Sequence, residues 1–109
     1  MNTDSIVMLV ILVPLAAFFT GIGIYAVRRK KPMWFFSGST VSEDEITDVP
    51  AYNRANGIMW IGYSLIFWIA AVLGVFNVAA AGMITGLGAV VGAVALVVVY
   101  KMIYSKYRR

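Results

Sequence analysis

The stretch 5-SIVMLVILVPLAAFFTGIGIYAV-27, followed at once by Arg28-Arg29-Lys30-Lys31, decides how this chain folds. It carries no charge between Asp4 and Arg28. A helix of that length, at ~1.5 Å per residue, crosses a hydrocarbon core of ~30 Å. A cleaved secretory leader places its basic residues before a shorter apolar core. Here they follow a full-length run, which reads as an uncleaved anchor.

Two further apolar runs are long enough to span, from about Gly57 to Val78 and from about Met83 to Tyr104. The connection Asn77-Val78-Ala79-Ala80-Ala81-Gly82 is short enough to force an antiparallel helical hairpin, with Asn77 and Gly82 as its turn-prone residues. Composition points the same way. The 109 residues are 61% hydrophobic and 13% charged, with mean hydropathy +0.86, too few polar side chains to coat a soluble domain of this size. The expected fold is an all-α integral membrane protein: one domain, residues 1–109, with three transmembrane helices and a loop over 28–56.

The charges then orient it. Arg28, Arg29, Lys30 and Lys31 follow the first run, Arg54 precedes the second, and Lys101, Lys106, Arg108 and Arg109 close the third. All nine basic residues thus fall on one side. The positive-inside rule predicts the N-terminus outside, with the loop and the C-terminus in the cytoplasm. This placement accounts for the net charge of +4 better than nucleic-acid binding does. Tyr25, Trp34, Phe35, Phe36, Tyr52, Trp60, Tyr63, Tyr100, Tyr104 and Tyr107 gather toward the same interface, where amphipathic rings are favoured.

Chemistry is sparse. Without cysteine there is no disulfide framework or thiolate, and without histidine the commonest general base and imidazole ligand are missing. No acidic or basic residue lies within a span apart from Lys101 at the basic end of the third, whereas ion pathways usually hold one deeper inside. Thr20, Ser64, Asn77 and Thr85 are the intramembrane polar candidates, and their spacing suggests no constellation. An enzyme is the class least expected, with no cofactor and no metal.

Small residues mark packing surfaces, because close van der Waals contact drives helix association in lipid. In the third run Gly82, Gly86, Ala89 and Ala93 share one face, and Gly88, Gly92 and Ala95 form a second strip. Two strips suggest two partners: helices of the same chain, or one of these and a neighbouring subunit. In the first run Pro14 removes a backbone donor and is expected to kink the helix, with Gly21 and Gly23 loosening its cytoplasmic end.

The loop is patterned. Lys30-Lys31-Pro32-Met33-Trp34-Phe35-Phe36 suits the headgroups of an anionic inner leaflet. Ser42 and Glu45 make a capping box, and Val41 with Ile46 a hydrophobic staple, which predicts a short helical turn ending before Pro50. Glu43, Asp44, Glu45 and Asp48 are explained by that turn better than by ion binding or acid–base work. Asn53 reads as the N-cap of the second span. Trp34, Tyr52, Asn53 and Arg54 are the candidate loop contacts.

Over residues 30–75, the run Trp34-Phe35-Phe36-Ser37-Gly38, the turn Ser42-Glu43-Asp44-Glu45 and the entry Tyr52-Asn53-Arg54-Ala55-Asn56-Gly57 resemble a broad group of small bacterial three-helix membrane proteins. That group is classed as a domain of unknown function. The resemblance implies a bacterial plasma membrane and transfers no active site. A more distant likeness is to membrane-embedded immunity proteins of toxin-producing bacteria. The expected function is a non-catalytic accessory, regulatory or immunity-type subunit, working through helix packing and its cytoplasmic loop. Its expected partners are anionic lipid and a second copy or another membrane protein. The alternative is a homo-oligomeric transporter or channel for a neutral or hydrophobic solute, with Ser64, Phe67 and Trp68 facing inward.

Overall fold

The computed structural model describes residues 2–33 and 43–108. Three long helices make up the protein: α1 (Thr3–Arg28), α2 (Val49–Phe76) and α3 (Val78–Tyr107). All three are long and apolar enough to cross a membrane. A single turn of 3-10 helix, Glu43–Glu45, precedes α2.

Each long helix opens on a short polar side chain that accepts from the first turn. Asn2 Oδ1 accepts from Ser5 N at 2.8 Å, Asp48 Oδ1 from Ala51 N at 3.1 Å, and Asn77 Oδ1 from Ala80 N at 3.1 Å. These caps satisfy backbone donors that have no partner within the helix. They also correct two expected boundaries. The helix of the second span starts at Val49, not near Gly57, because Asp48 caps it and Pro50 occupies its first turn. There a missing N–H costs nothing and the fixed φ suits the helix. Asn53 is therefore interior to α2 and is not its cap. The hairpin turn shrinks from six residues to one. Asn77 ends α2 by donating its N–H to Leu73 O at 2.7 Å and starts α3, which places Gly82 within the helix. α1 is continuous through Pro14.

α2 lies in the middle. α1 and α3 pack along it and barely touch each other. Accordingly α2 buries the most of its surface and α3 the least. At ~1.5 Å per residue, α2 and α3 run ~42 and ~45 Å, beyond a core of ~30 Å. The C-terminal end of α1, the N-terminal end of α2 and the C-terminal end of α3 meet at one end of the molecule. The basic residues Arg28, Arg29, Lys30, Lys31, Arg54, Lys101, Lys106 and Arg108 all stand there.

Two apolar clusters divide the interior. One, within the spans, joins Leu12 and Ala16 of α1 to Phe67, Ala70 and Ala71 of α2. The other, at the basic end, joins Ala26, Met33, Ile46 and Tyr52. In the first, Phe19 fills the centre, with its ring 5.0 Å from Tyr63, 5.2 Å from Phe67 and 5.9 Å from Trp60.

Candidate functional site

Residues at the basic end are held by a polar clamp. Asn53, fully buried, donates its Nδ2 to Arg29 O at 3.0 Å and Lys31 O at 2.7 Å, while its Oδ1 accepts from Met33 N at 2.7 Å. One amide side chain thus satisfies three backbone groups of the segment that leaves α1. Tyr52, one residue earlier and also fully buried, donates its hydroxyl to Met33 O at 2.9 Å and stands 2.8 Å from Tyr100 Oη.

α3 closes the cap from the other side. Thr47 N and Oγ1 both donate to Tyr107 O, at 2.7 and 3.0 Å, and Ile46 forms an antiparallel bridge with Arg108. Tyr104 donates its hydroxyl to Glu45 Oε2 at 2.7 Å. The acidic turn thereby meets the end of α3. Ile46 packs into the basic-end cluster, whereas Val41, Ser42 and Trp34 lie outside the described residues. Of the candidate loop contacts, Tyr52 and Asn53 are turned inward and spent on the protein's own backbone. Arg54 is exposed.

The two small strips of α3 have different fates. Gly88 and Gly92 lie against α2: a β-carbon on Gly88 would stand 2.6 Å from Ile66 Cγ2, and one on Gly92 2.7 Å from Tyr63 Cε1. Ile66 and Tyr63 therefore occupy the space that these glycines leave. Ala95 lines the open edge of the same groove. On the other strip, Ala89 packs on the central cluster, and its carbonyl accepts from Tyr63 Oη at 3.1 Å. Gly82, Gly86 and Ala93 are exposed, and a β-carbon on Gly86 would meet nothing within 4 Å.

Three features escape a reading of the sequence. The first is a close backbone approach between Gly23 and Gly57. A β-carbon on Gly57 would stand 2.6 Å from Gly23 O, and one on Gly23 2.7 Å from Gly57 O. Gly23 thus serves close packing and not the loosening expected of it. The second is a polar ladder between α1 and α2: Trp68 Nε1 donates to Thr20 Oγ1 at 3.0 Å, Thr20 to Ser64 Oγ at 2.8 Å, and Ser64 to Ile61 O at 2.6 Å. The expectation of no constellation is corrected for Thr20 and Ser64 alone; Asn77 caps α3 and Thr85 donates to Ala81 O within its own helix. Thr20 and Ser64 sit on facing sides of two helices that the sequence leaves unpaired. The third is Asn56, fully buried, whose Nδ2 donates to Tyr52 O at 2.9 Å while its Oδ1 has no hydrogen-bond partner among the described residues.

Among the described residues, no three His, Cys, Asp or Glu side chains come together as metal ligands. Comparison with known proteins finds no matching family model, no matching curated protein and no matching solved structure. The arrangement at hand is thus a membrane helix bundle with a clamped basic cap and, on α3, an uncovered strip of small residues.

Proposed function

We propose that this chain is a non-catalytic accessory, regulatory or immunity-type subunit of a bacterial plasma membrane. Its N-terminus faces outward and its basic end faces the cytoplasm. It acts by laying the Gly82-Gly86-Ala93 face of α3 against another membrane helix, from a second copy or a partner protein. The capped loop faces the cytoplasm beneath. One observation carries this reading: of two small strips on the same helix, Gly88-Gly92 is filled by α2, while Gly86 has open space over its α-carbon. Small exposed faces allow the close backbone contact on which association in lipid depends. The polar groups that a catalyst would use support it too, since Tyr52, Asn53, Thr20 and Ser64 bond within the protein.

The test is the mass of the purified chain in detergent, by light scattering, with Gly86→Leu beside the parent. A dimer or larger species that becomes a monomer on this substitution, with helicity unchanged, supports the proposal. An unchanged mass overturns the role of this face. Single cysteines at Asn2 and Lys106, probed with a membrane-impermeant thiol reagent, test the orientation against a background free of native cysteine. Solute flux through reconstituted vesicles would favour the transporter instead.

A further inference from the structure

We infer that the groove between α2 and α3, on its basic half, binds one acyl chain of an anionic phospholipid whose phosphate is held by Arg54 and Lys106. The inference uses the membrane orientation proposed above and is independent of any partner on α3.

An open hollow of about 280 Å³ lies there, lined by Ile58, Gly62 and Ile66 from α2 and by Gly92, Ala95 and Val99 from α3. A β-carbon on Gly62 would meet nothing within 4 Å. Neither the α-hydrogen of Gly62 nor the methyl group of Ala95 is large enough to close the hollow. Along α3 the lining from Gly92 to Val99 covers ~10 Å at ~1.5 Å per residue, within the ~15 Å that one leaflet contributes to a ~30 Å core. Its walls are apolar except for the Tyr63 hydroxyl, which is already committed to Ala89 O.

Charge selects the occupant. Arg54, Ile58, Gly62 and Ile66 recur every four residues, so Arg54 continues the groove's row on α2 toward the basic end. Val99 and Lys106 are seven residues apart, close to two turns, so Lys106 continues the row on α3. The contacts of Tyr63 with Gly92 and of Ile66 with Gly88 set the register. In that register Arg54 stands level with Tyr100 and Lys101, and Lys106 lies just beyond. Both cations are exposed, and Lys106 lines a second open hollow with Lys101 and Ser105. An apolar slot ~10 Å long, with Arg54 at its basic end and Lys106 about two turns past Val99, matches a lipid with an acyl chain below a negative phosphate. A second copy fits poorly. Copies inserted in the same direction would bring Arg54 and Lys106 against their own counterparts, and like charges there repel.

The experiment is native mass spectrometry of the full chain in detergent, titrated with phosphatidylglycerol or with phosphatidylcholine of the same acyl chains. One phosphatidylglycerol should be retained about twenty-five-fold more tightly than phosphatidylcholine, ~1 kcal/mol from each of the two cations. Arg54→Gln and Lys106→Gln should each cut that preference by about fivefold, the effect of ~1 kcal/mol per basic residue near an anionic surface. Gly62→Leu should fill the slot and abolish retention of both lipids while helicity and melting stay unchanged. Equal retention of the two lipids, or retention unaffected by Gly62→Leu, overturns the proposal. So does a dimer that Gly62→Leu converts to monomer, since a second copy would then occupy the groove. Because the measurement needs neither a bilayer direction nor a partner, it can fail without touching the proposed function, and the mass change with Gly86→Leu can fail without touching this one.

Discussion

Between α1 and α2 the backbones themselves meet, with Gly23 and Gly57 so close that neither has room for a β-carbon. Between α2 and α3 the backbones stand further apart, and side chains fill the gap: Tyr63 and Ile66 project from α2 into the notches at Gly92 and Gly88. Both interfaces use glycine, for different ends. The first gains main-chain proximity, which the Thr20–Ser64–Trp68 ladder and the Asn53 clamp then exploit with short hydrogen bonds. The second gains a socket for larger side chains and leaves an open groove beside it. In lipid, where apolar burial gives no advantage, the first is expected to be the stronger and the less tolerant.

Substitutions can break or sharpen that contrast, and unfolding in a denaturing detergent followed by tryptophan fluorescence is a suitable readout. Gly57→Leu should have the largest effect, a loss of ~3 kcal/mol or failure to fold, because its first carbon would meet Gly23 O and the Val27 side chain. If Gly57→Leu proves milder than Gly92→Leu, the ranking of the interfaces is reversed. Asn53→Ala should cost ~2 kcal/mol, since it orphans one N–H and two carbonyls in a buried site. Trypsin should then cut faster after Arg29 and Lys30, and an unchanged digestion rate would show that the clamp is dispensable. Gly92→Ala should cost ~1 kcal/mol, as the Tyr63 ring must shift to admit a methyl group. Thr20→Val keeps the shape and removes the ladder's central hydroxyl, with an expected loss of ~0.6 kcal/mol, the usual worth of a hydrogen bond between membrane helices.

Legibility in the sequence followed the range of the physics. Helix existence was readable at Ser5–Val27 because spanning length and lack of charge are properties of a local window. Boundaries were harder. Pro50 reads equally as the end of one element or the first turn of the next, and the choice rests on whether Asp48 turns its carboxylate onto Ala51 N. The run Val78–Gly82 reads as a turn until Asn77 alone is seen to reverse the chain. Tyr52 and Asn53 were legible as unusual residues at the membrane edge. Their use was not, since the groups they bond lie about twenty residues earlier or nearly fifty later.

By itself, then, the sequence determined that three apolar helices form and that the basic residues, among those described, gather at one end, because hydrophobic length and charge position act without reference to neighbours. Tertiary structure alone decided which glycines carry the packing. Gly23, Gly57, Gly86 and Gly92 are alike as residues, and they differ only in what faces them: a backbone oxygen, a tyrosine ring or open space. That facing is a property of pairs of helices, so no single stretch of sequence contains it.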